Sequence, residues 1–412
     1  MSNKTNKLVP ELRFPEFVKD GDWEKKTIAA ISNSESSSMA LNKLELKQTG
    51  YPVYGADSIV GYIDEYQQEE KYISIVKDGS GVGRLNLCES HSSILGTLAC
   101  LKSKNERQYN LVWFYYLLNT VDFSVYVKGS GIPHIYYSDF KSEDIAVPNP
   151  KEQQKIASCL SSLDEMITVH NQKLATLKDH KKGLMQNLFP QEGEKVPKYR
   201  FPEFLKDGGW VEKTIDKIKS ILTDYVANGS FKSLKENLNV VDAKDYAFYV
   251  RLTDLRAGLG HTNQKYVDKN TYLFLKKSSL FGGELLMANI GANVGEVWQM
   301  PFVDKPSTLA PNMIMIKFGD KIDSRFVYNY LTSDAGVKNI STVISGSGHP
   351  KISKTDLKQV NVFIPPKLKE QQKIASCFSS LDILITTQTE KIEQLQLHKK
   401  GLMQGLFPKI ND

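Results

Sequence analysis

The stretch KEQQKIASC occupies residues 151–159 and recurs, letter for letter, at residues 369–377. Each copy opens a forty-residue segment that closes alike, HKKGLMQNLFP at 180–190 and HKKGLMQGLFP at 398–408, and at a constant offset of 218 the segments agree at 27 of 40 positions. Apolar residues in the first fall at Ile156, Leu160, Leu163, Ile167, Leu174, Leu177, Leu184 and Leu188. In the second they fall at Ile374, Phe378, Leu381, Ile385, Ile392, Leu395, Leu402 and Leu406. Steps of four and three are the a/d seam of a coiled coil held for over four heptads, which predicts one long helix per segment. At ~1.5 Å per residue such a helix is about 55 Å long, too long to hide in a small domain, and it reads as a spacer.

Asn149 and Pro150, with Glu152 following, supply a cap and a first-turn proline for the first helix. The second helix follows Pro365–Pro366 and has no equivalent cap. The seam is interrupted at His170 and Lys181 in one copy and at Gln388 and Lys399 in the other. These are either tolerated polar positions or residues that set register and pairing direction. An antiparallel pairing of the helices would put the duplicated domains at opposite ends, related by a pseudo-twofold axis, with Cys159 and Cys377 too far apart for a disulfide.

The duplication extends outward from the helices. RFPEF begins at Arg13 and again at Arg200, each with a tryptophan ten residues on, Trp23 and Trp210. The loops KDGSGVGR (77–84) and NIGANVGE (289–296) correspond at offset 212, and GSGIPHI (129–135) and GSGHPKI (346–352) at offset 217. The offset grows from 187 to 218, so the second half carries about 31 more residues, most of them before its first glycine loop. The expected organisation is a variable domain at 1–150, a helix at 151–190, a second variable domain at 191–368 and a second helix at 369–412. Both domains read as mixed α/β, giving an α+β chain. YISIV, YAFYVRL and NMIMIKF are strand-like, LVWFYYLLN and RFVYNYLTS are short buried helices, and IAVPNP and VNVFIPP end each domain with a strand and a proline stop.

Composition bounds the function. Apolar content of 41% and charged content of 24% are ordinary for a soluble globular protein. The four cysteines stand singly, without the spacing of a disulfide framework or zinc site. No signal peptide or membrane-spanning run is evident, so a cytoplasmic protein is expected. Net charge is +6, unevenly spread: 16 basic against 19 acidic residues in 1–150, 25 against 19 in 191–368. Bulk charge thus favours a nucleic-acid partner weakly in the second domain and not in the first.

No catalytic or metal-binding constellation stands out. GSGVG is neither a P-loop nor a full dinucleotide fingerprint, and reads as a tight β-turn or as a loop near a nucleic-acid backbone flanked by Lys77 and Arg84. The residues suited to donate to phosphates or read base edges are Lys77, Ser80, Arg84, Lys128, Ser130, His134 and Tyr136 in the first domain. In the second they are Arg251, Thr253, Asn289, Asn293, Ser347, His349 and Lys351, the first four expected at strand ends. An alternative for the GSG loops is a domain-closing turn that docks on the helix.

Taken together, the ELRFPEF…W starts, the GSG-(I/H)-P-(H/K)-I loops, the PNPKEQQKIA and PPKLKEQQKIA helix starts and the HKKGLMQ(N/G)LFP ends resemble the specificity subunits of type I restriction–modification systems, over essentially the whole chain and in the family's order. YPVYGADSIVGY (51–62) also resembles a common variant of the recognition domain. NIGANVGE departs from the DGSGVGR form of its counterpart, so the two domains need not share a contact pattern. The resemblance implies a non-catalytic reader of double-stranded DNA, each target recognition domain gripping half of a bipartite site while the paired helices space the halves. It also implies two methylation subunits bringing S-adenosylmethionine, and restriction subunits bringing ATP and Mg, with no cofactor on this chain. Helix pairing would rest on Ile156, Leu160, Leu163, Ile167, Leu174, Leu177, Ile374, Phe378, Leu381, Ile385, Ile392 and Leu395. The competing classes are a coiled-coil protein-interaction scaffold and a self-contained methyltransferase or nuclease, which would need a cofactor site.

Overall fold

The computed structural model describes residues 8–191, 193–346 and 348–408. They form two compact units, one running to Lys173 and resuming at Gln388, the other spanning Leu174–Thr387. Each unit therefore holds one variable domain, part of the helix that leaves it and part of the other long helix.

In the first unit the strands are β1 (Glu24–Thr27), β2 (Ser32–Ser36), β3 (Tyr51–Tyr54), β4 (Ile59–Ile63), β5 (Tyr72–Val76), β6 (Leu85–Cys88), β7 (Ser93–Ile94), β8 (Leu98–Ser103) and β9 (Asp144–Val147). An antiparallel sheet of order β2-β8-β5-β6 is joined by a smaller β4-β3-β7 sheet and a β1-β9 ribbon. Every residue of β5 is buried, matching the near-continuous apolar run YISIV. Helix α1 (Leu111–Leu118), capped by the Asn110 side chain, buries Trp113 and Phe114 in the main core. The long helix α2 runs from Pro150 to Leu188.

The second unit repeats this plan. Strands β10 (Val211–Thr214), β11 (Lys219–Asp224), β12 (Val240–Val241), β13 (Ala247–Val250), β14 (Lys265–Val267), β15 (Ser279–Leu280), β16 (Leu285–Ala288), β17 (Val297–Gln299), β18 (Ser307–Leu309), β19 (Met313–Phe318) and β20 (Asn361–Ile364) form sheets β11-β19-β16-β17 and β12-β14-β13-β18-β15 and a β10-β20 ribbon. The extra residues of the second half build the larger second sheet and short helices around it, among them α3 (Leu252–Ala257). Helix α4 (Ser324–Leu331) is the counterpart of α1, and α5 (Leu368–Leu406) that of α2.

The long helices pack antiparallel. In the first unit Lys399 Nζ of α5 binds Asp164 of α2 at 2.6 and 2.8 Å, and Gln388 Nε2 donates to the His170 carbonyl at 2.9 Å and to His170 Nδ1. In the second unit Lys181 of α2 pairs with Asp382 of α5. The four polar residues that interrupt the seam are thus all engaged across it, and each lysine meets the aspartate at the equivalent position of the other copy. The apolar seam has two kinds of neighbour. Ile156 and Leu160 lie in the first domain's core beside Leu406 and Phe407, and Ile374 and Phe378 lie in the second domain's core beside Leu188 and Phe189. Leu381, Ile392 and Leu395 are also buried, whereas Leu163, Ile167, Leu174, Leu177 and Ile385 are half-buried. The ends of each helix therefore belong to domain cores, and only the middle stretches have the character of a helix–helix seam.

Candidate nucleic-acid interface

The interface is built up from the roots of the long helices. Glu152 and Gln153, the EQ of KEQQKIASC, are almost completely buried. Glu152 receives Arg13 of the RFPEF motif through two bonds of 2.8 Å, and Arg13 also donates to the Gly21 carbonyl at 2.6 Å. Gln153 accepts from the backbone N–H of Asn110, the cap of α1, at 2.8 Å and donates to the Pro148 and Gln108 carbonyls. The second unit repeats each bond. Arg200 holds Glu370 at 2.7 and 2.8 Å, and Gln371 accepts from the N–H of Asp323, the cap of α4, at 2.9 Å. One bond differs: Trp210 Nε1 donates to Glu370 at 3.2 Å, while Trp23 Nε1 is buried without a partner. A buried, bidentate Arg–carboxylate pair fixes direction as well as distance. The repeated motif thus welds each domain to its helix.

The two glycine loops of each domain meet on that frame. Residues 77–84 form the turn of the β5–β6 hairpin, and residues 128–135 are stapled to it by Gly79 N–H to Pro133 O at 2.9 Å and Ile135 N–H to Lys77 O at 2.8 Å. The second loop closes on itself through Lys128 N–H to His134 O and its reciprocal, at 2.9 and 2.8 Å. In the other domain, residues 289–296 turn between β16 and β17, with Gly291 N–H to Pro350 O at 3.0 Å and Ile352 N–H to Asn289 O at 2.9 Å, and Ser345 and Lys351 close the second loop. The backbone requires glycine at the crossing: Gly129 and Gly346 sit at φ +91° and +89°, and an added Cβ would lie 2.5 Å from the Ile132 carbonyl or 2.8 Å from that of His349. The GSG loops are thus stapled to the hairpin turns, and the crossing accounts for Gly129 and Gly346.

Side chains on these matched frames differ. In the first domain Ser80, Ser130 and Tyr136 are exposed, Lys77 and His134 half-buried, and the His134 and Tyr136 rings lie 5.3 Å apart. Lys128 pairs with Asp139 at 2.6 Å, and that bond, with the Tyr136 N–H, holds the Asp139 carboxyl below its ordinary range. Arg84 is half-exposed and paired with Asp57. In the second domain His349 and Lys351 are exposed, and Asn293 accepts from Arg256 Nη2 at 2.9 Å. Asn289 is half-buried, with its Oδ1 buried and unpartnered. Ser347 lies outside the described residues.

One placement corrects the sequence expectation. Strand β13 ends at Val250 and Arg251 follows it directly as the cap of α3, but Thr253 is an exposed residue within that helix rather than at a strand end. Arg251 is moreover engaged internally: it holds the fully buried Asp254 at 2.6 and 3.0 Å, and His261 Nε2 lies 2.9 Å from the same carboxylate. Burial would raise the Asp254 carboxyl, but the bonds from Arg251 and His261 outweigh it and hold it below the usual range. Local propensity favoured a strand through Arg251; the Asp254 bond to the Arg251 N–H, a helix-capping contact, ends it instead. Sequence reasoning also overlooked the Glu152–Arg13 and Glu370–Arg200 anchors, whose signal was their identity in both copies. Among the described residues no cluster of His, Cys, Asp and Glu is arranged to hold a metal, and no helix is long and apolar enough to cross a membrane. All four cysteines are free.

Comparison with known proteins agrees with this duplicated architecture. The chain is 28% identical to the type I restriction enzyme MjaVIII specificity subunit of Methanocaldococcus jannaschii, over 82% of this chain and 78% of the relative. It is 24% identical to the putative MjaX specificity subunit of the same organism, over 94% and 93%. Among solved structures it resembles the S subunit of a type I restriction–modification system from M. genitalium, with a TM-score of 0.65 at 17% identity, covering 98% of this chain and 100% of that one. The family model for the type I restriction modification DNA specificity domain matches twice, at residues 20–179 and 208–397, and so spans both domains and most of both long helices. With two such domains in a single duplicated chain, the protein belongs to the type I restriction–modification DNA specificity family.

Proposed function

We propose that this chain is the sequence-reading subunit of a type I restriction–modification complex, each variable domain taking one half of a bipartite DNA site through its stapled glycine loops. The observation that carries this reading is the pair of matched loop frames bearing different side chains, Arg84 against Glu296 and Lys128 against Ser345. A constant frame positions donors against a duplex, and the exchanged side chains choose the bases. The near-identical helices space the half-sites and offer two like surfaces to two methylation subunits. Chemistry resides on the partners: S-adenosylmethionine on the methylation subunits, ATP and Mg on the restriction subunits, with no catalytic step on this chain, and the assembly works in the cytoplasm. A protein-binding scaffold without DNA specificity is not favoured, because nothing in that role calls for two polar loops stapled in register.

The test is to co-express the chain with a type I methylation subunit and map methylated adenines across a genome. The expected result is a bipartite motif in which one half changes when residues 191–368 are exchanged for those of a relative. Methylation at unchanged sites after that exchange overturns the reading.

A further inference from the structure

The loop tips differ most sharply between the domains. Ile132 stands at the tip of the first stapled loop with 70% of its surface exposed, and its counterpart in the second domain is the exposed His349. Each tip residue precedes a proline, Pro133 or Pro350, which confines its backbone to extended conformations. The loop behind it is closed by the Gly129 crossing and the Gly79–Pro133 bond, and nothing lies within 4 Å of the positions where Gly79 and Gly131 would carry a Cβ. A β-branched side chain in such a place has few rotamers to lose on contact. It is also an apolar point among groups suited to DNA: Lys128, Ser130 and Tyr136 surround it in sequence and are exposed. Major-groove edges offer one apolar feature to such a group, the C5 methyl of thymine.

We propose that Ile132 is a specificity-determining residue of the first domain that reads a thymine methyl group, and that the matched position, His349, reads a hydrogen-bonding base edge instead. The inference rests on the DNA-reading function proposed above and adds the side chain and base feature responsible. It is tested with the assembled methylation complex and duplexes in which each thymine of the first half-site is replaced in turn by deoxyuridine, which removes only the methyl group. With the native chain one replacement is expected to weaken binding by about fourfold, the worth of one buried methyl. With Ile132→Ala that replacement has no further effect, and genome-wide methylation shows one relaxed position in the first half-site and none in the second. Ile132→His is expected to alter the preferred base at the same position. The proposal is overturned if no deoxyuridine replacement matters, or if Ile132→Ala leaves both the motif and the deoxyuridine response unchanged. An exchange of residues 191–368 that still rewrites the other half-site would then leave the function standing and only this assignment lost.

Discussion

The loop pair 77–84 with 128–135 and the loop pair 289–296 with 345–352 share a backbone and part company in what they present. Gly79, Gly83 and Gly129 have left-handed counterparts in Gly291, Gly295 and Gly346, all between +84° and +97° in φ. At several outward-facing positions the chemistry changes, to the point that Arg84, paired with Asp57, is replaced by Glu296, which pairs with Arg256 at 3.0 Å. The difference teaches which positions carry geometry and which carry choice. The glycines with positive φ are retained, while exposed positions such as Ile132 and Arg84 are exchanged.

The largest effect is expected where that shared frame is anchored. Glu152→Ala and Glu370→Ala each leave a buried arginine unpaired and should cost about 3–5 kcal/mol. The loss should be greater for Glu370, because Trp210 also gives up its acceptor. Hydrogen exchange of each domain in the intact chain would measure this, and equal losses would contradict the one asymmetry between the anchors.

A smaller effect belongs to the second domain alone. Asp254→Ala removes the acceptor of Arg251 and His261 and should loosen residues 252–263 by roughly 2–3 kcal/mol. Because the folded carboxyl titrates below its unfolded value of about 3.9, its contribution is fully present above that pH and fades as pH falls through the folded value. Exchange protection of the segment, followed from pH 6 to 3, should fall in the native chain and already be low in the variant.

The third comparison concerns matched capping carboxylates. Asp139 is held low first by Lys128, whereas Asp356 is held low first by Ser353. In Lys128→Ala the Asp139 carboxyl should move up toward the ordinary range and Asp356 should stay put, as read by NMR titration. The smallest effect is expected for Lys399→Ala and Lys181→Ala, which break partly exposed pairs across the helices and should each cost less than about 1 kcal/mol in thermal unfolding. A clear difference between the two lysines would break the equivalence of the copies.

Much of the fold was legible in the chain because duplication turns sequence into a comparison with itself. The long helices, their 3–4 stepping, the Asn149 cap, the paired short helices and the closing strands all rest on local pattern, and the Glu152 N–H does bond Asn149 Oδ1 at 3.0 Å. What remained hidden depends on partners far apart in the chain. Arg13 and Glu152 are 139 residues apart and Arg200 and Glu370 170 apart, and no periodicity links them. The early end of β13 was hidden for the opposite reason: the partner of Arg251 is only three residues on, but a buried carboxylate leaves no mark on a strand-like pattern. The glycine loops were visible as loops; that the two are bonded to each other was not.

The Glu–Arg and Gln–backbone clamps at each helix root bear on rotation. A duplex turns through about a tenth of a revolution per base pair, so a reading head that swivelled on its helix by that angle would present its loops to the neighbouring pair. A single hydrogen bond acts as a hinge, but Glu152 with two bonds to Arg13 and Gln153 with bonds to three backbone groups grip the helix from two sides. The clamp resists torsion, and loosening it would blur the angular phase of reading without changing any side chain of the loops.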